Sequence, residues 1–498
     1  MSHLANHNAV SLRRGVIIYV HALIFLLLGI VIPAFTETHS AETMIPAYCI
    51  FITGIFVWCL WSWRFVNGRL FDPYTLFLIA AFLFNGGQAL LQVFGLNAHG
   101  LLNGRFAQDT LFSTLVLVII GLMGFHLGGL LAYNAKHSQV TPDESVSVAQ
   151  HIQDRALRSI GWILLCVAII PSLMQLGSAI NVALTSGYFA LFQRDAQTGF
   201  DAAPRILATF LIPAAMFILG GSRQNRFSKY VSLCLVSLYV LVELFLGHRG
   251  TAIPIAVAYI WLWSRVIQPL PKSVLFTATI IGLVVVIPLV RVIRNVPGQD
   301  RLLLEYIVES YTSIDNPVVE AISEMGGSMI TVAYTLQLIP TTQDFNYGLD
   351  YVYATFTIVP NFFGTVHPTI ARGTPSVWLI QTVSPYTAAR GGSIGYSFIA
   401  EAFLNFGWIG TPIVLGVIGF FFAKFTTWAD KPGEAGRQAV LATFLAFFLF
   451  YVRADSASVF RPLIWYSLLP YLLATILANS IRGRAAIFSG NPTSVSEK

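Results

Sequence analysis

The stretch TLFSTLVLVIIGLMGFHLGGLLAY, residues 110–133, contains no Asp, Glu, Lys or Arg. About 20 apolar residues in a helix cross the hydrocarbon core of a bilayer, so this stretch predicts a transmembrane helix. The whole chain has the same character, since 56% of its 498 residues are hydrophobic and 10% are charged. A soluble enzyme, a secreted disulfide scaffold and a disordered chain are excluded, because none could keep so much apolar surface in water. We predict an integral membrane protein.

Other apolar stretches bring the number of predicted spans to about twelve, which makes the fold class an all-α polytopic membrane protein with residues 1–498 in a single membrane domain. The first stretch follows Arg13 and Arg14 as a signal peptide would, but it is longer than a signal h-region, so we expect an uncleaved span. The predicted spans are residues 15–35, 44–63, 72–95, 110–133, 159–176, 205–221, 230–247, 251–267, 273–291, 408–425, 438–453 and 463–481.

The basic residues indicate the orientation of the chain. With a cytoplasmic N-terminus, 18 of the 29 Lys and Arg fall inside, in agreement with the positive-inside rule. The polar segment 134–156 then becomes a cytoplasmic linker, and the long connection 292–394 lies outside. That connection exceeds a simple loop. Its apolar stretches at 328–339 and 350–363 are too short to span, so we expect short interfacial or re-entrant helices.

All six lysines fall inside in this topology, so every basic residue outside is an arginine. Several of these arginines lie at the ends of predicted spans, where an unpaired charge is costly and often marks a site. A guanidinium binds phosphate bidentately, which predicts a pyrophosphate-binding cleft on the outer side. In the alternative, these arginines reach the headgroups or pair with acids such as Asp300, Asp315 and Asp455. The overall net charge of +6 does not indicate nucleic acid as a partner.

The sequence GHRGT at 247–251 joins two predicted spans through a tight turn. Its glycines permit the required backbone, and the turn would aim Arg249 and the first amides of the next helix outward, as in anion sites. His248 is a candidate base, because histidine titrates near pH 6.5. Alternatively, the turn is only a helical hairpin whose arginine reaches the headgroups.

A second candidate anion site is the sequence RGGSIGYS at 390–397. Arg390 stands beside Gly391 and Gly392, which would let the backbone approach a ligand closely at the start of a helix.

If residues 395–406 form a helix, Ser397, Glu401 and Asn405 share one face at spacings of four residues. We predict that Glu401 is the catalytic acid/base and that Ser397 and Asn405 contact the substrate. In the alternative, Glu401 only neutralises an arginine such as Arg453 or Arg461.

Two pairs of arginines flank the ends of predicted spans. Arg291 and Arg294 lie one helical turn apart, and Arg453 and Arg461 bracket a short connection. All four are candidates for binding pyrophosphate. Alternatively, Arg453 pairs with Asp455 and stabilises a turn. His367, in the long outer segment, is a further candidate base, although a lone loop histidine is often structural.

The segment RGGSIGYSFIAEAFLNFGWIGTPIV, after a long outer loop and before an arginine-flanked hairpin, resembles the bacterial O-antigen polysaccharide polymerase (Wzy-type) family. LGHRGTAI, near residues 245–253, also looks like that family. The resemblance implies a GT-C-like, multi-span glycosyltransferase of the bacterial inner membrane. It would join oligosaccharide repeat units carried on undecaprenyl pyrophosphate at the periplasmic face. On the matching positions, it points to Arg249, Arg390 and Glu401.

The resemblance implies no cofactor and no obligatory metal, and the sequence has no HExxH or DxD-like spacing. A chain-length regulator and a flippase of the same pathway are candidate partners. Two other functions remain open. An O-antigen ligase would transfer glycan to lipid A core and rely on an outer-loop histidine such as His367. A transporter or flippase would need broken helices or charged residues at mid-membrane.

Overall fold

The computed structural model describes residues 2–36, 40–97, 100–133, 144–193, 202–296, 300, 303–361, 366–431 and 433–488. Within these ranges every regular element is helical. Numbered in chain order, the α-helices are α1 (Ser2–Thr36), α2 (Ala41–Asn67), α3 (Pro73–Val93), α4 (Gln108–Ala132), α5 (Glu144–Ser186), α6 (Ala203–Ala208), α7 (Leu211–Gly220), α8 (Arg226–Leu246), α9 (Arg249–Val266), α10 (Lys272–Ile281), α11 (Ile287–Asn295), α12 (Leu304–Thr312), α13 (Pro317–Gly326), α14 (Met329–Leu338), α15 (Leu349–Thr355), α16 (Pro368–Arg372), α17 (Pro375–Val383), α18 (Pro385–Ala389), α19 (Phe398–Ala429), α20 (Ala435–Phe448) and α21 (Leu469–Phe488).

Eleven helical stretches in the described part of the chain are long and apolar enough to cross a membrane. Each overlaps one predicted span, so the prediction of an all-α polytopic membrane protein is confirmed. The eleven are Arg13–Val31, Met44–Asn67, Pro73–Val93, Gln108–Ala132, Ala149–Ser186, Ala203–Gly220, Arg226–Leu246, Lys272–Asn295, Phe398–Ala429, Ala435–Arg453 and Ser456–Arg484.

The twelfth predicted span, 251–267, corresponds to α9, which is less apolar because it carries Arg249 and Arg265 near its ends. Its 18 residues rise about 27 Å, close to the thickness of the hydrocarbon core. Arg249 contacts Glu324, whereas Arg265 contacts Asp430. α9 therefore runs between two charged ends of the helix bundle, which we call the Glu324 end and the Asp430 end.

Helices α4 and α19 pack backbone against backbone in the core. A methyl group at Gly128 would overlap the carbonyl of Gly416, and one at Gly419 would overlap the carbonyl of Phe125. Small residues at such contacts let membrane helices approach closely. This contact fixes α19, whose first turn begins at the Glu324 end.

The predicted helix 395–406 and the predicted span 408–425 are two parts of α19. The helix begins at Phe398 and bends at Gly407, whose φ of 62° and ψ of −158° suit glycine. The bend separates the first segment of α19, which carries the predicted polar face, from the longer second part.

The second half of the predicted linker 134–156 is helical. Residues 134–143 lie outside the described residues, but α5 begins at Glu144 and continues to Ser186, well beyond the predicted span 159–176. Polar residues at the start of α5 do not prevent a helix, because they extend it past the apolar core rather than through it.

The segment 292–394 contains the last turn of α11 and the short helices α12 to α18. The predicted apolar stretches contain α14 and all but the first residue of α15. α14 is buried in the bundle against α4 and α19, since Met329, Val332 and Thr335 have no exposed surface. On which side of the membrane this segment lies remains a prediction.

Candidate functional site

The turn between α8 and α9 has a specific capped geometry. The amide of His248 donates to the carbonyl of Glu243 at 2.8 Å, and the amide of Gly247 donates to Leu244 at 3.0 Å. Gly247 has a φ of 93°, which completes a Schellman motif. The reversal brings His248 back over the end of α8 and starts α9 at Arg249.

This turn also pairs two side chains. Nδ1 of His248 lies 2.8 Å from Oε2 of Glu243, whose side chain is mostly buried. Among the described residues, Nε2 of His248 makes no hydrogen bond, and the ring lies beside Tyr188 and Phe192 at centroid distances of 6.1 and 5.7 Å. A carboxylate on one ring nitrogen orients the imidazole and leaves the other nitrogen for proton transfer.

Two arginines that are distant in sequence meet at one carboxylate. Nη1 of Arg249 contacts Oε2 of Glu324, and Nη2 of Arg294 lies 2.9 Å from Oε1 of the same side chain. The guanidinium of Arg294 also lies 5.7 Å from the ring centroid of Tyr188. Glu324 thus links the start of α9 to the end of α11.

Arg453 is the third arginine at this place. It lies within electrostatic range of Arg249, Arg294, Glu324 and Tyr188. Its Nε is buried without a hydrogen-bond partner, and it forms no ion pair with a carboxylate in the part of the chain that the structure describes. We call Arg249, Arg294, Arg453 and Glu324 the arginine cluster. Three guanidinium groups against one carboxylate leave an excess of positive charge.

The backbone around Arg453 is held from both sides. The amide of Tyr396 donates to the carbonyl of Arg453 at 3.1 Å, and Nδ2 of Asn85 donates to the carbonyl of Val452 at 3.2 Å. Gly395 approaches so closely that a methyl group there would lie 3.1 Å from Nε of Arg453. The predicted glycine-rich segment therefore does lie beside an arginine, but that arginine is Arg453.

Arg390 itself is exposed. Its Nη1 donates to the hydroxyl of Tyr386 at 2.9 Å, and the guanidinium covers the ring of that tyrosine. Gly391 has a φ of 73° and packs on Phe192, since a methyl group there would lie 2.5 Å from its carbonyl. Gly392 packs in the same way on Thr387. Gly391 thus connects this segment to Phe192, which lies beside His248.

Two other predicted arginines stand outside the cluster. Arg291 pairs with Glu320 on the surface, and Nε of Arg461 donates to the carbonyl of Thr357 at 2.7 Å. No contact within the described ranges joins either of them to the arginine cluster.

The predicted polar face of α19 is buried against protein. Ser397 caps the helix by accepting from the amide of Ile399 and donates to Oδ1 of Asn85 at 2.6 Å. Nδ2 of Asn405 donates to Asp350 at 3.0 Å, and its Oδ1 accepts from the amide of Gly348. Both side chains therefore hold neighbouring segments in place.

Glu401 is also completely buried. It accepts from the amide and the hydroxyl of Ser456, at 2.9 and 2.6 Å, and from the hydroxyl of Tyr451 at 3.3 Å. It forms no ion pair with Arg453 or Arg461 in the described part of the chain, and Asp455 instead accepts from Ser376 at 2.6 Å. Glu401 thus anchors the segment that follows Arg453.

His367 is buried as well. Nδ1 lies 2.7 Å from the hydroxyl of Thr369 and Nε2 lies 3.2 Å from the carbonyl of Val359, so both ring nitrogens are engaged.

Burial raises the pKa of Tyr351 well above its usual value, and the Glu401 and Asp350 carboxylates raise it further. That phenol therefore remains protonated at neutral pH.

The sequence did not point to Glu243, Glu324 or Tyr188. Glu243 lies five residues before His248, which is the spacing that a Schellman turn closes. Glu324 gave no local signal, because its partners are 75 and 30 residues away in the chain. No group of three or more His, Cys, Asp or Glu in the described ranges is arranged to hold a metal ion.

Comparison with known families matches residues 17–484 to the family described as O-antigen polysaccharide polymerase Wzy. No curated protein and no solved structure matches the chain. The family match covers nearly the whole chain and includes every member of the arginine cluster, so the resemblance noted from the sequence is confirmed. The chain is a multi-pass membrane protein that belongs to the O-antigen polysaccharide polymerase Wzy family.

Proposed function

We propose that this protein joins oligosaccharide repeat units carried on undecaprenyl pyrophosphate, at the periplasmic face of the bacterial inner membrane. The observation that carries the proposal is the arginine cluster, in which Arg249 and Arg294 contact Glu324 and Arg453 lies close to all three without a carboxylate partner among the described residues. Such an excess of positive charge at one end of a helix bundle suits an anionic headgroup whose lipid tail remains in the bilayer.

In the proposed reaction, a sugar hydroxyl of one lipid-linked unit attacks the anomeric carbon of the growing chain. The bond from that carbon to the phosphate oxygen breaks, and its electron pair stays on the leaving lipid pyrophosphate. Negative charge therefore increases on the leaving group during the reaction. Arginines fixed beside that group bind it more strongly in the transition state than in the ground state, which lowers the barrier.

His248 is the proposed base for the attacking hydroxyl. Glu243 holds its Nδ1 at 2.8 Å. The ring of Tyr188 lies beside both His248 and the guanidinium of Arg294, so Nε2 would take the proton close to the bound pyrophosphate. Glu401, predicted for this role from sequence, is better suited to positioning, because its oxygens already accept hydrogen bonds from Ser456 and Tyr451.

Ser397 and Glu401 support catalysis through Arg453 in this proposal. Ser397 holds Asn85, which holds the carbonyl of Val452, while Glu401 holds Ser456. Arg453 lies between these two anchors, so the polar face of α19 fixes the backbone that presents its guanidinium.

The length distribution of glycans in a strain that lacks the protein tests this function. Plasmids encoding the wild type, Arg453→Gln or the exposed control Arg482→Gln at the far end of the chain would be compared. We expect long glycans from the wild type and Arg482→Gln, and single repeat units on the core with Arg453→Gln. Full-length polymer from Arg453→Gln would contradict the proposal.

The same experiment separates the alternatives. Polymer stranded on the lipid carrier in the deletion strain would indicate a ligase, and repeat units retained on the cytoplasmic side would indicate a flippase. No contact of His367 favours the ligase, since both its ring nitrogens are engaged within the protein. A chain-length regulator and a flippase remain proposed partners.

The orientation has its own test, namely labelling of single cysteines in intact cells. Cys49, Cys59, Cys166 and Cys234 would first be replaced by serine. We expect Asp344→Cys to react with a membrane-impermeant maleimide from outside and Arg482→Cys to react only after the cells are opened. The reverse pattern would contradict a periplasmic site.

A further inference from the structure

Glu324 is the one acidic member of the arginine cluster, and no sequence motif points to it. We propose that Glu324 is a positioning residue that weakens the hold of the cluster on the leaving lipid pyrophosphate, and so sets the rate of product release. This inference rests on the proposed function.

The backbone at Glu324 is held in place by the packing of α13 on α3. Helix α13 lies directly on α3, because a methyl group at Gly326 would lie only 2.7 Å from the amide nitrogen of Gln88. Nε2 of Gln88 also donates to the carbonyl of Ser323 at 2.9 Å. The backbone that carries Glu324 is thus held by α3, and its carboxylate contacts Arg249 and Arg294 from there.

The two oxygens of Glu324 serve different helices. Oε2 contacts Arg249 at the start of α9, and Oε1 contacts Arg294 at the end of α11 at 2.9 Å. One carboxylate therefore sets the spacing of the two guanidinium groups. A guanidinium has five N–H donors, so Arg249 can contact Glu324 and still offer donors to a phosphate.

Substrate and product differ in the negative charge that they bring to the arginine cluster. The cluster carries about two net positive charges, from three arginines and one glutamate. The pyrophosphate diester of the substrate carries two negative charges, which the cluster neutralises. When the sugar leaves, the new terminal phosphate can lose a further proton near neutral pH, so the product is the more negative ligand.

Without the Glu324 charge, the cluster would favour the product still more strongly. The carboxylate repels the leaving group and competes with it for Arg249 and Arg294. Glu324→Gln keeps the shape and one acceptor but removes the charge. We therefore expect product release to become slower.

A purely structural role for Glu324 predicts the opposite. If it only aligned the arginines, its loss would weaken the binding of substrate and product alike, and KM would rise. Retention of product instead lowers kcat and leaves KM equal or lower. The split between kcat and KM thus separates the two roles.

The test uses the purified full-length protein in lipid nanodiscs, with undecaprenyl pyrophosphate added as inhibitor during polymerisation of the lipid-linked repeat unit. We expect Glu324→Gln to lower the inhibition constant about tenfold and to lower kcat, without a rise in KM. Glu324→Asp keeps the charge and should stay near the wild-type inhibition constant. Glu320→Gln, one turn earlier on α13, is the matched control and should change neither quantity.

A raised KM with an unchanged or raised inhibition constant in Glu324→Gln would overturn this role for Glu324 and leave the proposed function standing. A wild-type protein that undecaprenyl pyrophosphate does not inhibit would overturn the proposed function together with this inference.

Discussion

At each end of α9, one carboxylate contacts two arginines, but the two groups of side chains differ in net charge. At the Asp430 end, the carboxylate of Asp430 contacts Arg265 and lies 2.8 Å from Arg69. The charge of Asp72, a second acid, also attracts Arg265. The two arginines at this end, Arg69 and Arg265, are therefore balanced by two acidic residues. At the Glu324 end, within the part of the chain that the structure describes, Arg249 and Arg294 contact Glu324, and Arg453 lies close by without a carboxylate partner.

A balanced network of this kind has little charge left for a ligand, and removal of one partner destabilises the protein because it leaves a charge unpaired. An unbalanced one attracts an anion. The difference centres on Arg453, which forms no ion pair with a carboxylate among the described residues. Substitutions at the Glu324 end should therefore change activity, whereas those at the Asp430 end should change stability.

The largest expected effect comes from His248. His248→Gln removes the proposed base beside the cluster, and we expect the polymerisation rate of the purified protein to fall by about a thousandfold. Glu243→Gln keeps the base but loses its orienting charge and should cost less. Binding of undecaprenyl pyrophosphate should be unchanged in both. A His248→Gln protein with normal turnover would exclude the histidine as base.

Arg453→Lys should have the next largest effect. The charge remains, but the planar fork is lost, so we expect kcat/KM to fall by about a hundredfold. Arg69→Lys makes the same change at the Asp430 end and should leave kcat/KM near the wild-type value. Equal losses in the two variants would remove the distinction between the ends.

Asp430→Asn should affect stability instead. It leaves Arg69 and Arg265 without their shared carboxylate, and we expect the melting temperature in detergent to fall by a few degrees. The activity of the folded fraction should stay within about twofold of the wild type. A selective loss of activity with an unchanged melting temperature would show that this end has a catalytic role.

Arg390→Lys should have the smallest effect. The side chain is exposed and covers Tyr386, outside the arginine cluster. We expect polymer length and kcat/KM to remain within about threefold of the wild type. A loss as large as that of Arg453→Lys would place Arg390 among the residues that bind the pyrophosphate.

Composition was sufficient to predict the membrane spans, because apolar length is a local property of the sequence. The α8–α9 turn was predictable for the same reason, since its glycines and Arg249 are neighbours in the chain. The carboxylate partner was not predictable, because Glu324 reaches Arg249 and Arg294 only after α13 has packed on α3.

The polar face of α19 shows a second limit of sequence reasoning. Helical periodicity placed Ser397, Glu401 and Asn405 close together, but it could not say what they touch. In the structure they touch protein, through Asn85, Ser456 and Asp350. Arg453 was recognised from its position at a span end, whereas its lack of a paired carboxylate became visible only in three dimensions.

The most direct test of the arginine cluster is the affinity of the purified protein for undecaprenyl pyrophosphate in nanodiscs. Wild type, Arg453→Gln and Arg69→Gln would be measured side by side. We predict that the dissociation constant rises at least about tenfold for Arg453→Gln and stays unchanged for Arg69→Gln. Equal affinity of the wild type and Arg453→Gln would contradict the assignment of the arginine cluster as the pyrophosphate site.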